Sequence, residues 1–268
     1  MERSVVPMRG LTARLLRVAE LVGRVRRVAD IGSDHGLLPI ALVQEHVVRT
    51  AVAIELNEGP FRATREAVLR AGLEETISVR QGDGLHPLIP FEVDAIVLAG
   101  MGGQTIWNIL TSSHAARVLS AEPMRLVVQP MNGSGLIRYW AGAYGYRIDA
   151  DVRIRDSGII YECLRLDARV DGPRMPPADW ADIAPQRRRE YEELGSDDKW
   201  RLAFGEHALQ AGCLYAAEQM QEEGAKLRRA LHDLAYPKND RAYARAAEMS
   251  ADLAALSRLY ERVFKVRF

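Results

Sequence analysis

Lysine is scarce in this chain: only Lys199, Lys226, Lys238 and Lys265 stand among 36 basic residues. The arginine bias suits bidentate contacts to phosphate, and a GC-rich genome produces the same bias. Cysteine is scarcer still. Cys163 and Cys213 both lie in apolar stretches, with no CxxC spacing and no Cys/His cluster. That speaks against a zinc ribbon, a dithiol redox site or any other metal centre, and predicts two buried thiols in a reducing compartment. No apolar run reaches the roughly 18 residues of a membrane span, and Met1–Pro7 lacks the apolar stretch of a signal peptide. A cytoplasmic protein with no membrane partner is expected. Net charge is missing as well, since 36 acidic residues balance the 36 basic ones. A general polyanion binder is thereby disfavoured, while a local basic patch is not. Neither a solenoid repeat nor a low-complexity tract is present, and nothing specifies a protein partner.

What is present is a globular composition, 48% hydrophobic and 27% charged over 268 residues, enough for a full core without disulfide or metal. Helical spacing runs from Leu11 to Val22, followed by a short strand at 25–31. Helices are predicted at 37–48, 58–71, 103–111 and 134–143, the second closing on Gly72. Strands are predicted at 50–55, 77–80, 93–99 and 125–129. Alternation of this kind gives a parallel sheet with helices on both faces. Two further strands, 146–154 and 159–166, are separated only by Arg155–Gly158, a link that joins antiparallel neighbours. The expected fold is α/β: a Rossmann-like, mostly parallel sheet whose last strand is antiparallel. By fold analogy this is the class I methyltransferase arrangement.

Asp167–Pro177 is polar and holds Gly172, Pro173, Pro176 and Pro177, which marks a linker between residues 1–167 and a helical unit at 178–268. In that unit Leu209, Cys213, Ala216, Met220, Leu227 and Leu234 follow a 4-3 spacing broken at Glu223. After a turn at Tyr236–Asp240, Ala242, Ala246, Met249, Leu253, Leu256, Tyr260 and Val263 follow it without a break. This reads either as a coiled-coil-like helical hairpin or as two amphipathic helices packed on the main domain.

The chemistry concentrates at strand ends. Asp30-Ile31-Gly32-Ser33-Asp34-His35-Gly36 follows the first strand, where glycines allow a sharp turn and a close approach of backbone to ligand. A pyrophosphate would be repelled by Asp30 and Asp34; a ligand carrying an ammonium and a sulfonium, as S-adenosylmethionine does, is favoured. Glu55, 25 positions after Asp30, ends the second strand, where a carboxylate accepts ribose hydroxyls. Gln81-Gly82-Asp83-Gly84 ends the third, where an acid can accept from an adenine amino group. Gly100-Met101-Gly102-Gly103 ends the fourth and would leave room for a flat substrate. Gln129 and Asn132 end the fifth, and either contact substrate or cap the next helix.

Asp-Ile-Gly-Ser-Asp-His-Gly-Leu-Leu-Pro (30–39), Glu-Leu-Asn-Glu-Gly-Pro (55–60), Ala-Gly-Met-Gly-Gly (99–103), Val-Gln-Pro (128–130) and Tyr-Glu (161–162) together resemble the bacterial tRNA (adenine(22)-N1)-methyltransferases. The resemblance spans roughly residues 11–166. That family more often has Thr-Asp-His-Ala where this chain has Ser33-Asp34-His35-Gly36, and Asp where it has Glu55; the region after 167 matches weakly. The resemblance implies S-adenosylmethionine as cofactor and tRNA as partner. It implies a cofactor set of Asp30, Gly32, Ser33, Gly36, Glu55, Leu56, Asp83, Gly84, Gly100 and Met101. Asp34 would stabilise charge in the reaction, and His35 would either hydrogen-bond the target base or cap a helix. Substrate contacts would come from Arg14, Gly102, Gly103, Gln129 and Asn132. The base would stack on Trp107, Tyr139, Trp140 or Tyr161, although core packing is the expected job of most of them. Arg9, Arg17 and Arg187–Arg189 are further RNA candidates, or else a solvated face. A small-molecule methyltransferase and a non-catalytic RNA- or cofactor-binding protein are the competing readings.

Overall fold

The structure, a computed structural model, describes residues 8, 10–121, 124–169, 180–234 and 239–268. Helix α1 (Ala13–Val22) leads into β1 (Arg27–Ile31), α2 (Leu37–Gln44), β2 (Thr50–Glu55), α3 (Glu58–Arg70) and β3 (Ile77–Gln81). There follow β4 (Ala95–Gly102), α4 (Gly103–Leu110), α5 (Ser113–Ala121), β5 (Arg125–Asn132), α6 (Ser134–Ala143), β6 (Tyr146–Asp156) and β7 (Ile159–Ala168). The seven strands form one sheet in the order β3-β2-β1-β4-β5-β7-β6. β1 pairs in parallel with both β2 and β4, so the chain reverses direction across the sheet between these two neighbours. Such a switch point opens a crevice at the carboxyl ends of the strands. β7 slots between β5 and β6 and runs antiparallel to both, as the four-residue link requires. β4 is central and buries Ala95, Ile96, Val97 and Leu98 completely, the continuous apolar run of a strand covered on both faces. One core cluster gathers Trp107, Leu119, Trp140 and Tyr144 on one face, and another gathers Val18, Leu42 and Val68 on the opposite face.

Sequence spacing left 112–124 without an element, yet α5 buries Ala115, Ala116, Val118 and Leu119 there. The helical unit is also more divided than its spacing suggested. It comprises α7 (Trp180–Glu192), α8 (Ser196–Phe204), α9 (Glu206–Gln210), α10 (Leu214–Asp233) and α11 (Asp240–Phe264). The helix read from Leu209 onward is interrupted at Gly212, whose φ of +59° turns the chain before α10. The expected break at Glu223 has a partner: the Phe268 ring lies on Gly224, at 2.4 Å from where a Cβ would stand. α10 and α11 pack together, with Gln221 Nε2 donating to Tyr260 Oη at 2.7 Å. They are not a free-standing hairpin, because α8 packs on both α6 and α11. The linker Gly172–Pro177 and the turn Tyr236–Lys238 lie outside the described residues.

A buried ion cluster joins the two parts. Arg138 of α6 grips Asp151 of β6 with both arms of its guanidinium, at 2.9 Å each. It also donates to Glu162 of β7 at 2.5 Å. Arg153 of β6 donates to the same Glu162 oxygen at 3.1 Å. Further donors reach the carbonyl end of α8, Arg138 to Leu202 and Ala203 and Arg153 to Phe204, while Arg153 Nε donates to Gln219 of α10. The two cations and two anions cancel, and the acids hold Arg138 above the usual arginine range. Two arginines thus sit at the negative end of a helix dipole, where cations are favoured. Removing one member of such a group leaves the others buried and uncompensated. Arg138→Met is therefore expected to lower unfolding free energy by about 3–5 kcal/mol; a denaturant titration giving less than ~1 kcal/mol would show that the cluster does not fasten the helices.

Candidate active site

The turn after β1 is unusual in its backbone. Gly32, Asp34, His35 and Gly36 all have positive φ, at 70°, 41°, 68° and 68°. Only glycine adopts this region freely, so two adjacent non-glycine residues there store strain. Hydrogen bonds hold the turn in place. Gly32 N–H donates to Ile54 O at 2.8 Å. Asp34 N–H donates to Glu55 Oε1 at 2.6 Å, and Thr64 Oγ1 donates to the same oxygen at 3.3 Å. Below the turn, Ser33 Oγ donates to Asp30 Oδ2 at 2.7 Å. At Gly32 a Cβ would displace only the movable Met101 Cε, 2.8 Å away, so it is the positive φ that calls for glycine.

Two layers of acid result. Asp30 and Glu55 are buried; Asp34 and His35 are exposed, with His35 Nε2 3.6 Å from Asp34 Oδ1. Burial pushes Asp30 up to about 7, with the Ser33 hydrogen bond opposing and nearby Glu55 adding to the rise. Burial also raises Glu55, against its hydrogen bonds from Asp34 and Thr64. His35 does not cap α2: Gly36 is the N-cap, and no side chain bonds there.

Beside this turn lies a cavity of about 510 Å³, within the ~300–1,000 Å³ of small-molecule sites. Of the expected cofactor residues, Gly32, Leu56, Asp83, Gly84 and Met101 line it. Asp30, Ser33, Gly36, Glu55 and Gly100 do not; the first four build and secure the turn beside it. Sequence reasoning missed His86, Asn108, Ser112 and His114, which form its polar end. The rings of His86 and His114 meet there at a tilt of 32°, with centroids 4.8 Å apart. His86 was within reach of the Gly-Asp-Gly motif, but His114 sits on the unforeseen α5.

The substrate-side residues converge at the ends of β4 and β5. Gln129 is fully buried; its Oε1 accepts from Gly100 N–H at 3.1 Å and from Arg14 Nη1 at 2.6 Å. Asn132 Oδ1 accepts from Gly103 N–H at 3.2 Å, so it holds the start of α4 and caps no helix of its own. Gly103 needs its missing side chain: a Cβ would stand 2.7 Å from Gly133 O and 2.8 Å from Asn132 O, both backbone. Of the aromatic candidates, Trp107 and Trp140 are core residues and Tyr139 is bonded to Glu190. Tyr161 alone among them reaches this corner, beneath Arg14. Arg17, Arg187 and Arg188 are paired with Glu20, Glu190 and Glu192, which favours the solvated-face reading; Arg9 lies outside the described residues. Among the described residues no His/Cys/Asp/Glu group is arranged to hold a metal, and no helix is long and apolar enough to cross a membrane.

A doubly wound sheet with an inserted antiparallel strand, and acidic, glycine-containing turns beside a cavity at its switch point, defines a class I methyltransferase core. Comparison with known families agrees: residues 11–164 match the family described as "Methyltransferase domain", and the chain belongs to it. The tRNA (adenine(22)-N(1))-methyltransferase of Bacillus subtilis is 39% identical over 158 residues, 59% of this chain and 65% of that protein. The chain thus aligns with just under two thirds of that relative's length. The crystal structure of the B. subtilis M1A22 tRNA methyltransferase TrmK superposes with a TM-score of 0.77 at 27% identity, covering 93% of this chain and 98% of that one. Streptococcus pneumoniae Sp1610, solved in complex with S-adenosyl-L-methionine, superposes at 0.73 with 27% identity, covering 93% and 99%.

The raised Asp30 carries a stability consequence. Its folded pKa lies above its unfolded value, so between about pH 4 and 7 the folded state binds more protons, and stability falls as pH rises through that window. Asp30→Asn is expected to flatten this fall and to be more stable than the parent at pH 8, by on the order of 2–4 kcal/mol at roughly 1.4 kcal/mol per pKa unit. Thermal melts across pH 4–8 read it; a variant less stable than the parent at pH 8 contradicts it.

Proposed function

We propose that this chain transfers a methyl group from S-adenosylmethionine to N1 of an adenine in tRNA, adenine 22 being the position in its relative's name. The observation that carries the reading is one juxtaposition: a cavity of cofactor size beside a strained turn that presents Asp34 and His35 to solvent. The cavity suits the cofactor chemically. Ile31, Ile54, Leu56 and Ile109 offer apolar faces to a flat ring, while Asp83, Asn108 and Ser112 offer polar edges. Gly32, Leu56, Asp83, Gly84 and Met101 would hold it, with Asp30, Ser33, Gly36 and Glu55 fixing the turn and Gly100 bounding the methyl end. Bound there, S-adenosylmethionine supplies a methyl group on a positively charged sulfur.

Adenine N1 carries its lone pair at neutral pH, so the chain needs no general base. Positive charge arrives on the base instead, and the Asp34 carboxylate stabilises it. His35 hydrogen-bonds the base edge, while Gly102 and Gly103 pack against Asn132 and Gly133 and set the turn from β4 into α4. An adenine within folded RNA must be extruded to reach the cavity. Gln129 and Asn132 serve this reading as holders of Gly100 and Gly103. Residues 1–167 form the catalytic unit and 178–268 the helical one, a division supported by the family match ending at residue 164. Work on tRNA implies a cytoplasmic setting, and no metal is invoked.

Incubation with labelled cofactor and tRNA lacking the modification is expected to yield 1-methyladenosine on nucleoside analysis. Asp34→Ala should lower turnover by about 100-fold or more with cofactor affinity within a few-fold. Label entering only small metabolites, or unchanged turnover in Asp34→Ala, defeats the reading.

A further inference from the structure

Among the described residues, arginines that are buried or half-buried are neutralised where they stand, as Arg80 is by Glu92, Arg125 by Asp167 and Arg138 by Asp151. Arg14, at the ends of β4 and β5, departs from that habit. Its guanidinium bonds a neutral carboxamide, Gln129 Oε1, at 2.6 Å. Its Cζ lies 5.5 Å from the Tyr161 ring centroid, a cation–π distance. Among the described residues it has no ion pair with a carboxylate. Asp156 is adjacent, but it accepts the backbone N–H of Arg14 at 3.1 Å. The guanidinium itself is half-buried and bonds only neutral groups; the Asp156 carboxylate offsets its charge from nearby without bonding the side chain.

The holder is rigid. Gln129 is fully buried, and its amide is engaged at both ends: Oε1 by Arg14 and Gly100, Nε2 by donation to Pro130 O at 3.1 Å. The carboxamide therefore cannot rotate away, and the guanidinium plane is fixed from behind, beside the end of β4. One Nη1 donor is used; a guanidinium carries five N–H donors in a fork that matches an oxyanion.

We propose that Arg14 binds a backbone phosphate of the RNA flanking the target nucleotide, with Gln129 and Tyr161 as the residues that position it. This rests on the tRNA reading above. A nucleotide extruded toward Gly100 brings its phosphodiester with it, and phosphate contacts fix register without reading sequence. Substrate then supplies the hydrogen-bonded anion that Asp156, occupied by the Arg14 backbone N–H, does not.

The test is steady-state methyl transfer to tRNA by the parent, Arg14→Gln and Arg14→Lys between about 50 and 200 mM salt, with cofactor affinity measured by calorimetry. Arg14→Gln should raise KM for tRNA about 10- to 100-fold and reduce the slope of log KM against log salt by about one, leaving cofactor affinity unchanged. Arg14→Lys should restore the slope but not the full affinity, since an ammonium keeps the charge and loses the fork. Wild-type turnover with an unchanged salt slope in Arg14→Gln overturns the phosphate role alone. So does a loss of cofactor affinity in Arg14→Gln that matches the loss of tRNA turnover, because Arg14 would then be a brace. Wild-type protein that methylates no RNA overturns the tRNA reading, and this one with it.

Discussion

The hydrogen bond from Asp34 N–H to Glu55 Oε1 governs the site. Without it, two neighbouring L-residues would have to hold left-handed backbone at a cost of about 1–3 kcal/mol each. With it, the turn is tied across the sheet to the end of β2, and Gly32 is tied to β2 a second time through Ile54. The cost of burying Glu55 and Asp30 is met by packing around them. What results is a loop with its backbone anchored and its Asp34 and His35 side chains left in water. A relaxed turn would let Asp34 find a backbone partner of its own, as aspartates in turns commonly do.

Much of this was readable from residue order. Alternating periodicity placed the strands to within about two residues at most ends, and β2 and α6 were placed to the residue. Acids and glycines at three strand ends pointed to one crevice, because a doubly wound sheet brings those ends together. The remainder was hidden for physical reasons. Gln129 and Asn132 looked like substrate contacts or helix caps, and turned out to hold the backbone of β4 and α4, a tertiary relation invisible to spacing. Glu55 was read as a ligand residue; its second task, securing the turn through the Oε1 that Asp34 and Thr64 share, lies in contacts that residue order does not reveal. α5, α8 and α9 are short, and their burial comes from neighbours distant in sequence. His114, at the polar end of the cavity, was lost with α5.

Glu162 illustrates the same limit from the other side. It was noticed only as half of a Tyr-Glu pair near the start of β7. Its environment shows a carboxylate shared by two buried arginines at the seam between sheet and helices. Its neighbour Tyr161 faces the Arg14 corner. Two adjacent strand residues point to opposite faces, so one dipeptide serves the Arg14 corner and the seam at once.

That seam has a geometric consequence. The carbonyl end of α8 is gripped by Arg138 and Arg153, and α8 in turn packs on α11. A joint of fixed charge and fixed hydrogen bonds resists swivelling far better than an apolar contact would. The long helices therefore stand at a set span from the cavity, like the far jaw of a caliper. Any large substrate touching both would be gauged by its dimensions, with no base of its sequence being read.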